Sequence, residues 1–319
     1  MYEPRDLHDL MAMMPAFATP DAIDFRATNT VDVANLRDGL GRMIRDGASV
    51  ITTTGSWGEC HTLLWDEFAA LTHETLDVAN KRVPVFIGCT SVNTREVYQK
   101  MTFVREAGAE GVLIGVPYYD MATVDNLVRF YHDMAEAFPD LSIMIYHNPP
   151  NHKVHIPVSA FERLIQSRNI IGMKDSHRTP LEFMRLMDIV RGKISVFCYQ
   201  AQVYPYMDFG AVGCWSVDAW MGPWPVLRLL KASRDHDVEL AKEVMAELTE
   251  RGVGEGRSGA VDNARKPGFA HAGYCNPGPN RPPFVEISEP SMAKAIRRAE
   301  YWKGLCAKYR PQVEELAAI

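Results

Sequence analysis

The sequence predicts an α/β protein built as a (β/α)8 TIM barrel that carries a C-terminal helical appendage. Eight short apolar runs alternate with stretches of helical period, at intervals near the ~30 residues that eight units within ~250 residues allow. No two of these runs are joined by a hairpin turn, so the strands should lie parallel, with helices as the crossovers. A small internal echo points the same way. Gly47-Ala48, Gly108-Ala109 and Gly210-Ala211 each precede an apolar run, with glycine where a left-handed helix stop would fall.

In chain order the strands are expected near Met11–Phe17, Ser49–Thr53, Val85–Gly88, Gly111–Val116, Ser142–Tyr146, Ile170–Met173, Ile194–Cys198 and Val212–Val217. Between them Val33, Leu36, Leu40, Met43 and Ile44 form one helical stripe, and Val124, Leu127, Val128, Tyr131, Met134 and Ala135 form another. Thr179-Pro180 fits an N-cap followed by proline at the first helical position. The barrel should occupy residues 8–235 and the helical extension residues 236–319. Within that extension Asp237–Arg251 and Pro290–Leu316 read as helices, separated by a long glycine- and proline-rich loop, Gly252–Pro283.

Composition narrows the function classes. The 34 basic and 40 acidic residues leave a net charge of −6 without long runs of either sign, which argues against a nucleic-acid or membrane partner. The N-terminus lacks a basic head and an apolar signal core, and no stretch is long enough to span a bilayer. Cys60, Cys89, Cys198, Cys214, Cys275 and Cys306 are scattered with no C-x-x-C pair, so a reduced, cytoplasmic protein without disulfides is expected.

The octapeptide Asn169-Ile170-Ile171-Gly172-Met173-Lys174-Asp175-Ser176 ends a doubly buried strand on a lysine. An ammonium there is poorly solvated, burial disfavours its charged form, and a neutral lysine amine can condense with a ketone. A lysine snorkelling to water is the competing reading. In a barrel of this kind the site lies at the C-terminal strand ends. Those ends read Thr52-Thr53-Thr54-Gly55-Ser56-Trp57-Gly58-Glu59, Pro117-Tyr118-Tyr119-Asp120, Tyr146-His147-Asn148-Pro149-Pro150 and Lys174-Asp175-Ser176-His177, so hydroxyls and a lysine converge on one mouth. His152 and His155 have a metal-like spacing but no nearby third ligand. Gly252–Gly259 lacks the Gly-Lys-Ser/Thr of a phosphate loop. No metal site is expected.

These motifs, in this order from about Met14 to Ser233, resemble the dihydrodipicolinate synthase / N-acetylneuraminate lyase family of class I aldolases. Gly55-Ser56-Trp57-Gly58-Glu59 is similar to its Gly-Thr-Thr-Gly-Glu motif, Val116-Pro117-Tyr118-Tyr119 to its tyrosine motif, Tyr146–Pro149 to its Tyr-Asn-x-Pro turn, and Asn169–Lys174 to its Schiff-base strand. The resemblance implies that Lys174 forms an imine with a pyruvoyl group, that Tyr119 shuttles protons, and that Ser56 hydrogen-bonds that tyrosine. It further implies that the Ser56 and Trp57 N–H groups, with Gly58 beside them, hold a carboxylate. Tyr146, Trp215, Ser216 and, from the long loop, Asn276 complete the expected substrate contacts, Asn276 holding the attacking water. No cofactor is implied beyond the lysine itself, and a homo-oligomer, commonly a tetramer, is.

The departures matter as much. Trp57 replaces a threonine, the loop Pro150-Asn151-His152-Lys153 lacks an arginine grip, Tyr199-Gln200 replaces small or acidic residues, and Trp215, Trp220 and Trp224 add rings. Such a site suits a flat aromatic α-keto acid. The run Gly55–Glu67 is similar to that of hydratase-aldolases of polycyclic aromatic degradation. This implies hydration and retro-aldol cleavage of an arylidene pyruvate of the trans-2'-carboxybenzalpyruvate or trans-o-hydroxybenzylidenepyruvate type, to an aromatic aldehyde and pyruvate. Arg178, His177 or Arg281 are candidates to meet a ring carboxylate. A dipicolinate-type synthase, a sugar-acid lyase or dehydratase, and a non-catalytic keto-acid-binding barrel are the rival readings.

Overall fold

The structure, a computed structural model, describes residues 1–249 and 263–317. Eight strands, β1 (Asp9–Met13), β2 (Val50–Thr52), β3 (Val85–Gly88), β4 (Gly111–Ile114), β5 (Ser142–Tyr146), β6 (Ile170–Lys174), β7 (Ser195–Tyr199) and β8 (Gly213–Ser216), close in sequence order into a wholly parallel barrel. Around it run α1 (Val33–Arg45), α2 (Trp65–Ala79), α3 (Thr94–Glu106), α4 (Val124–Ala137), the short α5 (Pro149–His152) and α6 (Phe161–Leu164), α7 (Pro180–Val190), α8 (Val203–Phe209) and α9 (Trp224–Arg234). The tail adds α10 (Val238–Leu248), α11 (Arg265–Ala272) and α12 (Glu289–Ala317). None of the described helices is long and apolar enough to cross a membrane. All six cysteines are free thiols.

Local chemistry explains the boundaries. Asp32, Asn93, Thr123 and Thr179 each accept the N–H three residues on, and at Thr179 the Glu182 carboxylate answers in a full capping box. Gly47, Gly108 and Gly210 all have positive φ, as the glycine echo requires. The first strand ends at Met13 rather than Phe17, because Pro15 has no N–H to give a ladder. The segment expected as one long loop contains α11, while its residues 252–262 lie outside the described residues. Pro267 sits in the first turn of α11, where the N–H has no intrahelical partner to lose.

The β5–β6 ladder is irregular. Ile143 pairs with Ile170 but Met144 pairs with Gly172, so Ile171 is an extra residue on β6. Beyond this bulge Ile145 pairs with Met173 and Tyr146 with Lys174.

The tail is fastened to the barrel mouth by buried charge. Lys266 Nζ donates to Glu59 Oε2 (2.5 Å), the Ala16 carbonyl (2.8 Å) and the Pro279 carbonyl (3.0 Å). Arg281 donates to the same Glu59 Oε2 at 2.9 Å and to Thr30 Oγ1 at 2.9 Å. Arg281 is therefore spent inside the protein and does not meet solvent or a ligand. Burial pushes the Lys266 amine down to about 8, against the pull of Glu59.

Removing the shared carboxylate strands two buried cations. Glu59→Gln should cost about 3–5 kcal/mol in urea unfolding. Without Glu59 the Lys266 amine sheds its proton at lower pH, so the folded variant escapes a buried charge earlier than the wild type does. The deficit should therefore narrow as pH rises toward 8, the value to which burial lowers Lys266 in the wild type.

Candidate active site

Lys174 is the last residue of β6 and is 3% exposed. Its Nζ lies 3.8 Å from the Trp215 ring centre, 5.2 Å from the Tyr146 ring centre and 3.3 Å from Ser176 Oγ. Cation–π contacts of this kind are worth ~0.5–2 kcal/mol to a charged nitrogen. Trp215, on β8, is held in place by its indole N–H, which donates to the Asp175 carbonyl at 2.7 Å, and by the Tyr199 ring 4.7 Å away.

Tyr146 ends the neighbouring strand. Its hydroxyl donates to Ser56 Oγ at 3.1 Å and accepts from the Ser56 N–H (3.3 Å) and from Asn148 Nδ2 (3.2 Å). Ser56 Oγ also accepts from Asn151 Nδ2 at 2.8 Å and Asn148 Nδ2 at 3.2 Å. Burial raises the Tyr146 phenol above its usual range, while the bonds from Ser56 and Asn148 draw it back. His152 packs edge-on to Tyr146 at 5.0 Å and lies against Gly115, so close that a Cβ there would stand 2.2 Å from its Cε1. Burial, then the Lys174 charge, pushes His152 down to about 4, so its ring is neutral.

Of the residues singled out in the sequence, Lys174, Ser56, Tyr146 and Trp215 meet at one mouth. Tyr119 does not join them. It is 75% exposed on the loop after β4, its carbonyl accepts from Lys153 Nζ at 2.6 Å, and Tyr146 stands in the place expected for it. Trp57 turns its ring onto Phe269 of α11, 4.9 Å away, and under the Arg265 guanidinium, although its main chain stays beside Ser56. Gly58 is forced by close approach, since a Cβ would fall 2.6 Å from the Thr54 nitrogen. Ser216 is fully buried; its hydroxyl donates to Gln200 Oε1 and accepts the Ala219 N–H, closing the turn after β8 instead of facing the mouth. Asn276 is exposed and caps a local turn by accepting the Gly278 N–H at 3.1 Å. Trp220 and Trp224 are buried among core residues. Among the described residues no group of three or more acidic, histidine or cysteine side chains is placed to hold a metal.

Asn148 and Asn151 were not singled out as site residues. Asn148 had a legible signal, because residues two apart on an extended segment share a face, and Tyr146 was already on the inward one. Asn151 had none, since α5 brings it back toward Ser56.

Residues 10–294 match the dihydrodipicolinate synthetase family. The chain is 30% identical over 330 aligned positions to a trans-O-hydroxybenzylidenepyruvate hydratase-aldolase of Pseudomonas aeruginosa, covering 97% of this chain and 96% of that protein. It is 25% identical to a trans-2'-carboxybenzalpyruvate hydratase-aldolase of Nocardioides sp. (strain KP7), over 95% of each. Among solved structures it is similar to PhdJ bound to substrate intermediate, with a TM-score of 0.89, 27% identity and coverage of 97% of this chain and 99% of that one.

The geometry makes Ser56 the residue that tempers the phenol. Ser56→Ala removes the hydroxyl paired with the Tyr146 oxygen, which can turn its proton toward the phenolate, and with it a bond that lowers the phenol's pKa. Ultraviolet titration against the wild type should therefore show the Tyr146 phenolate forming at higher pH in the variant. A titration that stays put or moves lower contradicts this arrangement.

Proposed function

The chain belongs to the dihydrodipicolinate synthetase family and is a lyase of the aldolase type, and from that premise we propose a hydratase-aldolase acting on an arylidene pyruvate. The observation that carries the reading is the buried Lys174 amine between the Trp215 and Tyr146 rings, with the Tyr146 hydroxyl held by Ser56 and Asn148. A retro-aldol site needs an amine, an acid–base group beside it and an apolar wall, and these supply all three.

In the proposed sequence Lys174 condenses with the substrate ketone, releasing water and leaving a protonated imine conjugated with the C=C bond. The cation draws electrons from that bond, so water adds at the aryl-bearing carbon and releases one proton to solvent. The Tyr146 phenol gives its own proton to the neighbouring carbon of the resulting enamine and is left as the phenolate. Asn148 and Asn151, whose amides converge on Ser56 Oγ beside the phenol, are the groups this reading assigns to hold such a water. Tyr146 then takes the proton of the new hydroxyl, the carbon–carbon bond breaks, and its electron pair passes to the imine as an enamine. The aromatic aldehyde departs. Protonation at carbon and hydrolysis free pyruvate and the amine. The imine is the electron sink, so the scheme calls on no cofactor or metal. The Ser56 N–H and the Asn148 amide both point at the phenol oxygen and offset the charge it acquires when it gives up its proton.

A flat substrate is favoured by the Trp215 and Tyr199 faces and by the absence of an arginine in the loop 150–153. An ortho substituent on the ring is in keeping with relatives named for ortho-hydroxy and for ortho-carboxy substrates. A homo-oligomer, commonly a tetramer in this reading, would use apolar surface such as Tyr119, Met121, Trp65 and Tyr98, all exposed.

Borohydride reduction in the presence of pyruvate should yield a covalent adduct on Lys174, and Lys174→Ala should give neither adduct nor cleavage. Tyr146→Phe should lower kcat by about 10²–10⁴-fold, the usual worth of a positioned acid–base group. Turnover of N-acetylneuraminate in preference to benzylidenepyruvates, or an adduct-free wild type, defeats the proposal.

A further inference from the structure

Behind the reacting side chains lies a second set of buried ionisable groups that the proposed chemistry does not use. His147 directly follows Tyr146, and Asp175 directly follows Lys174. Their side chains are 1% and 2% exposed, and His147 Nδ1 donates to Asp175 Oδ1 at 2.5 Å. The other ring nitrogen, Nε2, accepts the Ile156 N–H at 3.2 Å, so the imidazole is neutral with its proton on Nδ1. Arg178 Nε lies 3.5 Å from Asp175 Oδ2, and its Nη2 donates to the Ile156 carbonyl at 2.7 Å. The main chain of Asp175 is equally engaged. Its N–H donates to the Phe197 carbonyl at 2.9 Å, and its carbonyl receives the Trp215 indole.

Consecutive residues on a strand point to opposite faces. Asp175 and His147 therefore stand on the far side of the barrel wall from Lys174 and Tyr146 and do not touch reacting atoms. Buried ion pairs are a poor way to add stability, since desolvation consumes most of what the attraction supplies. Their place in the chain is informative instead. Two pairs of adjacent residues, 146–147 at the end of β5 and 174–175 at the end of β6, give each reacting side chain an anchor one peptide away. Through its carbonyl the same Asp175 also aims the ring that covers the amine.

We propose that His147, Asp175 and Arg178 form a positioning triad that fixes Tyr146 and Trp215 about Lys174 and keeps a buried negative charge behind the cationic imine. This rests on the Schiff-base reading given above. The Asp175 carboxylate is held in its charged form, burial notwithstanding, by the His147 bond and by the Arg178 and Lys174 charges. Its charge is thus present when the nitrogen of Lys174 must stay positive through bond cleavage.

The test uses full-length Asp175→Asn, His147→Leu and His147→Asn proteins, with benzylidenepyruvate as substrate and pyruvate with borohydride as an independent probe. Misplaced reacting groups cost rate more than binding, so Asp175→Asn and His147→Leu should lose at least about tenfold in kcat with KM within about twofold. Adduct formation with pyruvate should slow in parallel. His147→Asn places an amide N–H where Nδ1 stood and should recover to within about threefold of wild type, a rescue that loop packing alone does not explain. Should Asp175→Asn fail to fold, the two His147 variants carry the comparison between them. Folded His147→Leu with wild-type kcat and trapping rate, or no recovery in His147→Asn, overturns the triad. A wild type that traps no pyruvate overturns the aldolase reading itself, and the triad's role with it.

Discussion

Across the β5–β6 ladder Tyr146 stands opposite Lys174, and the site depends on that pairing. The register that begins the ladder, Ile143 against Ile170, would carry on to put Tyr146 opposite Met173, whose side chain faces away from the lysine's side of the strand. The extra residue Ile171 advances β6 by one, so that the phenol and the amine share a rung and a face. Gly172 follows the bulge with Met144 Cε only 3.0 Å from where a Cβ would be, so the crowding there is relieved by having none. A parallel barrel supplies eight strand ends around one mouth, and the bulge decides that the phenol and the amine face each other there.

The tail contributes to the same mouth by a different route. Glu59 closes the turn that begins with Gly55 and Ser56, and it is also the carboxylate to which Lys266 and Arg281 converge. The backbone that presents Ser56 is therefore braced from outside the barrel. Trp57 belongs to this brace. Its ring, at a position that is a threonine in the family motif, fills the gap between the β2 turn and Phe269 of α11, with Arg265 over it. Asp218, just beyond β8, makes a matching fastening by accepting from Arg298 of α12 at 2.5 Å and from Gln200 at 2.7 Å. Gln200 in turn engages Ser216, so a hydroxyl expected at the substrate is committed to joining two strand ends to the tail.

How much of this could be seen in the sequence follows the range of the interactions. The barrel was legible because its signals are local: apolar runs of strand length, caps such as Thr179, and glycines at helix stops. That Lys174 and Ser56 would lie at the mouth was legible because a strand end is recognisable. Which tyrosine would lie beside them was not. Tyr119 and Tyr146 both lie near a strand end, and what separates them is whether the phenol sits in the last rung or five residues into a loop that carries it outward. Ser216 and Asn276 were misplaced because their partners, Gln200 and a local turn, compete for the same polar atoms a ligand would use. The bulge at Ile171, the Glu59 clamp and the return of Asn151 through α5 are pairings between distant segments, and nothing in the local pattern announces them.

The electrostatics of the mouth give the phenol its part. Burial by itself would leave Tyr146 too weak an acid to release a proton during turnover, since the phenolate is the form that a dry site penalises. Three features act against that penalty: two donors aimed at the phenol oxygen, a serine hydroxyl that can turn its own proton toward the phenolate, and a positive nitrogen 5.2 Å from its ring. His152 adds no charge to the balance, because its ring is held neutral. In the chemistry proposed above, the charge on the lysine nitrogen would do double duty. As an imine it would draw the electrons of the breaking carbon–carbon bond, and in the same state it would make the neighbouring phenolate easier to form. Proton removal and bond cleavage would thereby be favoured together, and each would become harder once the imine is hydrolysed.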